Sequence, residues 1–575
     1  MMVASSGTIK QTKARNDIEI HLPDGRVYSG PRGTQVGVFL KALTDLNDAP
    51  VMGAIVNGEL RELTYPIQMD ARVQPVSMSD ADGARIYRRS LTFLLEAAFE
   101  DLYPDALLAV DHSVASGGFF CQVVGRQQLS REELVALENH MQEIVAADLP
   151  FQRFQVPLEE AIEYFRQKGQ SVKVRLLRYR KKKHLMMYQL GTHRDYHHGY
   201  MVASSGDIKW FGLNYMGDGF VIRYPRRHRP TELLPIPDST RLLATFRQYG
   251  GWLERLGIGS VGALNDAINT NRISEIILVS EALQAQQIAE IAAEIVERRD
   301  EKKIILIAGP SSSGKTTFSK RLAIQLLAHG ISPYPLEMDN YFVDREKTPL
   351  DENGQYDYES IGALDTVSLG KHLNALIRGE EVQLPRFNFK TGKSETGDVV
   401  RLEKDQLIIL EGIHGLNPQL IPNISEEHTF RIYASCLTQL NLDSQNRIST
   451  TDTRSIRRIV RDARERGYSA QQTIQQWESV RRGEKGNIFP YQEHASEMFN
   501  SALVYELAAM KPLAEPLLRQ VPFGTREYIE AKRLLTLLEW FLPVDTLYIP
   551  NNSILKEFIG GSVLKDFKIW KNSPD

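Results

Sequence analysis

Nine consecutive residues, Gly309-Pro310-Ser311-Ser312-Ser313-Gly314-Lys315-Thr316-Thr317, carry the spacing GxxxxGK[ST]. Glycines let a backbone wrap a phosphate, and the N–H groups opening the following helix add partial positive charge. Lys315 adds a full charge at the outer phosphates, and the Thr316 hydroxyl can ligate Mg²⁺. The chemistry on offer is nucleotide binding, with ATP and Mg²⁺ as the expected cofactors. The alternative is a Gly/Ser-rich surface turn.

Two carboxylates extend the set. Asp339 ends the run Pro335-Leu336-Glu337-Met338 and is followed by Asn340-Tyr341-Phe342. It can accept a proton from an attacking hydroxyl or, equally, cap a helix. Glu411 ends the run Gln406 to Leu410, placed either to hold Mg²⁺ through water or to stand in solvent. A third group is cationic. Arg454, Arg458 and Arg461 share a helical face, and six Arg fall between 454 and 466. Such a face can neutralise charge on a transferring phosphoryl group, with Arg466-Gly467 as a lid tip. It also suits an exposed helix through the i,i+4 pairs Arg458/Asp462 and Arg461/Glu465.

These residues need elements to place them. Lys303 to Ala308 has a buried-strand pattern, and Phe318, Leu322 and Leu326 line one face of a helix that stops at Gly330. A strand–loop–helix context is what the glycine loop requires. Strands alternating with helices from Lys303 onward predict an α/β unit with a mostly parallel sheet. A carboxylate at the C-terminal end of such a strand faces the ligand crevice. Ile456, Ile459, Val460 and Ala463 form the apolar stripe of a helix over 452–467.

The chain has 575 residues, about four domains' worth. With 42% hydrophobic and 25% charged residues it is an ordinary globular composition. No apolar run approaches a membrane span, no secretory signal is visible, and only Cys121 and Cys436 occur, so a cytoplasmic protein is expected. The net charge of −3 conceals an asymmetry: residues 171–230 hold thirteen Lys/Arg against three Asp. That stretch is either a possible RNA contact or a solvated basic face. Five segments are expected: a small mixed domain over 17–80, an α+β domain over 84–230, a helical connector over 231–300, the α/β domain over 301–505 and a helical extension over 506–575. Ser130 and Glu133 carry a capping-box pattern, a helix is expected near 87–102, Pro225 to Pro237 has the composition of a linker, and Leu534 to Leu542 is an amphipathic helix.

Six motifs occur in order: GPSSSGKTT, MDNYF, YDYESIGALD over 356–365, PRFNF over 385–389, LIILEGIHG and DTRSIRRIVRDARERG. Together they resemble the uridine kinase and phosphoribulokinase family, over roughly 303–505. The resemblance implies an ATP-dependent nucleoside kinase acting on a 5′-hydroxyl. It places Asp339 as catalytic base, Tyr341 and Glu359 at the substrate, Arg458 and Arg461 at substrate and phosphate, Arg466 in the lid and Gln476 near the base pocket. Pyrimidine kinases carry a Tyr-Asp-Phe run and a base-reading His where this chain has Phe387-Asn388-Phe389 and Gly392. Phe387 can still stack on a base, but the base identity does not carry over.

The front half is similar to threonyl-tRNA synthetases. Residues from Ile18 to Leu60 resemble their TGS domain, a β-grasp module, and 84–225 their second additional, editing domain. Of that domain's HxxxH and CxxxH metal-capable tetrad, the early pair aligns with Arg89 and Phe93 and the late pair with His193 and His197. Both histidines fit an ordinary polar role better than a metal. Three functions stay open: a nucleoside kinase with a regulatory or oligomerising front half, an RNA-binding or editing-related protein with a regulatory P-loop domain, and a kinase of another hydroxyl compound such as a sugar phosphate.

Overall fold

The structure is a computed structural model describing residues 15–567 except 44–48, 115–116, 237–239, 351–353, 355, 389 and 404–405. The first fourteen residues, Pro237 of the linker, Phe389 of the PRFNF motif and the last eight residues lie outside the described residues.

The N-terminal unit comprises β1 (Asp17–His21), β2 (Val27–Pro31), α1 (Val36–Lys41), β3 (Val51–Val56), β4 (Glu59–Arg61) and β5 (Ala71–Ser77). Its sheet order is β2-β1-β5-β3-β4, with β1 and β5 parallel and the other pairs antiparallel. Alternation along β1 buries Ile18 and Ile20, and α1 packs Val36, Phe39 and Leu40 onto them. The Asn57-Gly58 turn expected from the sequence joins β3 to β4.

The next unit begins with α2 (Ala81–Leu102), which starts well before residue 87. It continues through β6 (Leu107–Val114), β7 (Gly118–Val124), α3 (Arg131–Ala146), β8 (Gln152–Pro157), α4 (Leu158–Gln167), α5 (Ser171–Leu177), β9 (His184–Leu190), β10 (His193–Asp195), β11 (Gly212–Met216) and β12 (Gly219–Arg223). Two antiparallel sheets result, β11-β12-β7-β6 and β10-β9-β8. Residues Ser90 to Phe99 of α2 are buried on every side, as a helix central to a core must be. The Ser130/Glu133 capping box forms at the start of α3.

Part of the basic stretch is paired. Lys173 pairs with Asp195 in full burial, Arg175 with Asp266, Lys182 with Glu539 and Arg227 with Glu478. Three acids from distant parts of the chain, Asp266, Glu539 and Glu478, take up part of the charge that the local count exposes. A window count sees sequence neighbours, whereas ion pairs are set by spatial ones.

Helices α6 (Thr240–Arg255), α7 (Val261–Asn269) and α8 (Ile273–Glu297) lead into β13 (Ile304–Ala308), α9 (Lys315–Ala328), β14 (Pro333–Glu337), α10 (Thr366–Ile377), the hairpin β15 (Val382–Asn388) and β16 (Lys393–Val400), β17 (Leu407–Glu411), β18 (Thr429–Ser435), α11 (Thr450–Glu465), α12 (Ala470–Asn487) and β19 (Glu497–Asn500). The sheet β14-β17-β13-β18-β19 is parallel throughout. All five residues of β13 are buried, as a central parallel strand covered on both faces requires. The chain closes with α13 (Glu506–Arg519), α14 (Arg526–Leu538) and α15 (Lys556–Ile559). The amphipathic helix expected over Leu534 to Leu542 is α14, which starts at Arg526 and ends at Leu538. One apolar core runs from Phe165 and Leu176 through Ile276, Ile277 and Ile288 to Phe318, Leu507 and Leu534. The helices between the halves are therefore packed structure, not a tether. Among the described residues no helix is long and apolar enough to cross a membrane.

Candidate active site

The glycine loop joins β13 to α9. Gly314 is the N-cap residue of α9 at φ +83°, a conformation most side chains avoid, and a Cβ on Gly309 would lie 1.9 Å from the Ala434 carbonyl oxygen. The loop is held from outside. Glu484 accepts from the Ser311 N–H at 3.0 Å. Arg454, itself paired with Glu484, donates to the Ser311 carbonyl at 2.8 Å, and Arg458 donates to the Ser311 hydroxyl at 2.9 Å. Arg457 donates to the Ser312 carbonyl at 3.4 Å and pairs with Glu506 at 2.5 Å. The Ser312 and Ser313 hydroxyls are buried without a partner among the described residues. Unspent donors in a rigid loop fit an anionic ligand.

Lys315 points its ammonium back along the loop, to the Gly309 carbonyl at 2.8 Å and the Pro310 carbonyl at 3.2 Å. Burial pulls its pKa down, opposed by Glu411 and Glu557. Thr316 donates its hydroxyl to Glu411 at 2.8 Å, so the two oxygens expected to serve one metal ion lie together. An oxygen pair of this kind suits Mg²⁺. Burial raises the pKa of Glu411, an effect Lys315 and the Thr316 hydrogen bond offset in part.

Asp339 follows β14 in a short 3-10 turn, Met338–Tyr341. The cap of that turn is Glu337, without a side-chain cap hydrogen bond. The Asp339 carboxylate makes no hydrogen bond or ion pair among the described residues, which sets aside a capping role. Burial and the neighbouring charge of Glu337 raise its pKa, and Lys315 lowers it. Glu359 is tethered at its carbonyl by Asn487 of α12 at 2.6 Å. Burial and Glu484 raise its pKa while Lys315 and Arg458 lower it. Asp339, Glu359 and Glu411 thus share the field of one lysine.

The three arginines of α11 and its end converge on a single buried acid. Arg458 reaches Asp462 at 3.2 Å, Arg461 at 2.9 Å and Arg466 at 3.4 Å. The Arg458/Asp462 pair forms as spacing implies. Arg461 takes Asp462 instead of Glu465, and Glu465 pairs with Arg464. Asp462 is fully buried, so it draws cations inward that an exposed helix would spread.

Comparison with known proteins decides the class. Residues 304–502 match the model of the Phosphoribulokinase / Uridine kinase family. That match takes in the glycine loop, Asp339, Glu411 and the arginines of α11. Solved structures with a similar fold assignment include a "Possible Uridine Kinase" from Bacillus stearothermophilus, 18% identical, covering 36% of this chain and 100% of that one at a TM-score of 0.24. Another is a D-glycerate 3-kinase from Cryptococcus neoformans, 12% identical, covering 35% and 87% at a TM-score of 0.26. The N-terminal region matches threonine–tRNA ligases. That of Polaromonas naphthalenivorans is 33% identical over 199 residues, 34% of this chain and 31% of the ligase. Threonine–tRNA ligase 2 of Bacillus subtilis is 26% identical over 204 residues, 35% and 32% of the two chains. The chain spans about a third of the length of these curated relatives.

Within the matched region, not every expected contact faces the cleft. Tyr341 is 1% exposed and bonds His372 at 3.1 Å, so it sits in the core behind Asp339. Gln476 is exposed on α12, with no hydrogen bond to the loop or to Asp339 among the described residues. Phe387 is mostly buried, 5.6 Å from the ring of Phe342, and its N–H donates to Asn340 at 3.3 Å. The pair forms an aromatic wall rather than a single stacking platform.

Sequence reasoning missed the loop's clamps, Glu484, Arg454 and Arg457. The long spacing from loop to α12 hides Glu484, and the buried face of an Arg-rich helix looks like any other face. It also gave no role to residues 550–562. That segment lies against the kinase loop: Glu557 accepts from the Thr317 N–H at 3.2 Å and hydroxyl at 2.8 Å, and a Cβ on Gly314 would lie 2.5 Å from Ile554.

His193 and His197 each find a carboxylate within the fold, while Nε2 of His193 is buried without a hydrogen-bond partner among the described residues. His193 bonds Glu100 at 2.5 Å, His197 bonds Glu96 at 3.0 Å, and the Phe93 ring stands edge-on to both, at 4.8 and 5.6 Å. Glu96, His193 and Asp195 place ligand atoms within 4.8 Å of one another, but Lys173 occupies Asp195. A cation is already in place there.

Proposed function

We propose that this P-loop kinase transfers the γ-phosphoryl group of ATP to the 5′-hydroxyl of a nucleoside. The observation that carries the reading is Asp339, a carboxylate just past β14 with no hydrogen bond or ion pair among the described residues and within the field of Lys315. Asp339 takes the proton of the attacking hydroxyl as its oxygen bonds to phosphorus. Thr316 and Glu411 would hold Mg²⁺, whose charge neutralises the phosphate oxygens. Lys315 and the loop N–H groups orient the phosphates. Arg458, Arg461 and Arg466, gathered by Asp462, offer positive charge to the transferring group. Glu359 accepts from ribose hydroxyls, and the Phe342/Phe387 wall shields the base from water.

Base selection is open. Asn388 donates to Glu395 across the hairpin at 2.8 Å, which directs its amide away from a base edge. The same fact favours, as a second reading, a smaller hydroxyl substrate such as a sugar phosphate. The test is a panel of nucleosides and sugar phosphates with ATP and Mg²⁺. Nucleoside 5′-monophosphates are expected, and Asp339→Asn should lose turnover yet retain nucleotide binding. Turnover of sugar phosphates alone would select the second reading; unimpaired Asp339→Asn would remove both.

We read the N-terminal sheet as a TGS-type β-grasp, supported by its order β2-β1-β5-β3-β4 with parallel β1 and β5. Residues 84–230 resemble a synthetase editing domain whose chemistry has been replaced by packing. Phe93 fills the place of one lost histidine against the two that remain.

A further inference from the structure

A cavity of about 970 Å³ lies between the front half and the kinase half, within the ~300–1,000 Å³ range of small-ligand sites. Some of its cations are paired and some are not. Arg85, Arg227 and Arg533 are paired, with Glu530, Glu478 and Asp452 respectively. Arg88, Arg89, Arg226 and Arg447 also line the cavity, and none makes an ion pair with a carboxylate among the described residues.

The partners of these four are neutral. Arg88 donates to the Ala84 carbonyl at 3.0 Å and lies 5.4 Å over the Tyr224 ring. Arg89 donates to the Tyr200 carbonyl at 2.5 Å. Arg447 donates to the Asp111 carbonyl at 2.7 Å and the Ser113 hydroxyl at 2.9 Å, with its guanidinium 4.8 Å over Phe119. For Arg226 no hydrogen bond joins its guanidinium to a described residue. Burial pulls Arg89 down to about 10, and the charge of Arg88 lowers Arg89, Arg226 and Arg447 alike. Three half-buried guanidiniums feel the charge of Arg88, and only Arg447 has an offsetting carboxylate nearby, Asp111, so a bound anion would stabilise the cluster. Aromatic faces and carbonyls fix their orientation while leaving N–H groups spare. This is the arrangement that recognises phosphate oxygens.

We propose that Arg88, Arg89, Arg226 and Arg447 form a binding site for a small, multiply charged phosphate ester or polyphosphate, separate from the kinase loop. The site draws Arg88 and Arg89 from α2 and Arg447 from the segment entering α11. Because α11 holds the glycine loop through Arg454, Arg457 and Arg458, occupancy here is positioned to reach the kinase.

The test uses the full chain and inorganic tripolyphosphate in titration calorimetry. Lys315→Ala removes the kinase loop as a competing site. Binding should persist in Lys315→Ala, weaken as salt rises and fall at least about tenfold when Arg226→Gln and Arg447→Gln are added. Thermal midpoints without anion separate this from a structural role. Relief of repulsion keeps or raises the midpoint in Arg226→Gln, whereas loss of a structural contact lowers it. No binding in Lys315→Ala, undiminished binding in the double Arg variant, or retention of RNA without tripolyphosphate binding would overturn the assignment.

Discussion

Glu557 places its carboxylate on Thr317, accepting from the backbone N–H at 3.2 Å and from the hydroxyl at 2.8 Å. These donors open α9 directly after the glycine loop, where a helix N-terminus favours an anion. Arg464 holds the segment by donating to the Glu557 carbonyl at 2.9 Å. A carboxylate and a phosphate oxygen cannot share those donors. Glu557→Ala should therefore tighten ATP binding, by roughly three- to tenfold for one charge-assisted contact removed from competition. Equilibrium titration with ATP reads it directly. Unchanged or weaker affinity would show that Glu557 supports the loop instead of competing for it.

Asp339 makes the acid limb of the proposed kinase reaction predictable. Burial, then the charge of Glu337, raises its pKa, and its base form is the working one. Activity should fall as pH drops through that raised value, above the ordinary ~4 of an aspartate. Glu337→Gln removes the like charge and should move the limb to lower pH with turnover on the plateau preserved. A limb that stays in place in Glu337→Gln would assign it to another group.

Thr316 and Glu411 act on one metal in the proposed reaction, so they should fail in the same way. Thr316→Val removes a ligand hydroxyl and the hydrogen bond that orients Glu411. The expected result is a Mg²⁺ requirement raised about tenfold or more, within the usual range for lost metal contacts. A Mg²⁺ titration of activity checks it. If the loss persists unchanged at saturating Mg²⁺, the hydroxyl serves the phosphates instead.

These three residues also show what a sequence makes legible. The loop, Asp339 and Glu411 were readable because strand ends put local motifs on one side of a parallel sheet. Tyr341 shares the Asp339 motif, yet neighbouring side chains in a tight turn point to opposite sides, and it went into the core. Arg461 chose Asp462 over Glu465 because a buried acid attracts more strongly than an exposed one. The Glu557 contact and the apolar core shared by both halves join residues hundreds of positions apart, and no local period encodes such pairings. In the basic stretch the charge excess was visible but the distant acids that pair with Arg175, Lys182 and Arg227 were not.

His193 gives the front half a pH-dependent stability. Burial alone would lower its pKa, but the hydrogen bond to Glu100 and the nearby carboxylate of Glu96, 3.7 Å away, outweigh it and raise the group to about 9. Glu100 is correspondingly pushed down to about 2 by His193 and Lys168 against its own burial. Asp195, Lys173 and His197 complete the charged groups around it. An unfolded histidine titrates near ~6.5, so below that pH both states are protonated and the stabilisation is fully present. It is lost as pH rises through about 9, where the folded state gives up its proton too. The contribution is on the order of 3 kcal/mol. His193→Gln should be less stable than the parent at pH 6, and the gap should narrow by pH 9.5 or so. Urea midpoints of both proteins at the two pH values measure it. A gap that is constant across the window would mean that His193 stabilises the unit by packing against Phe93, with no part played by its charge.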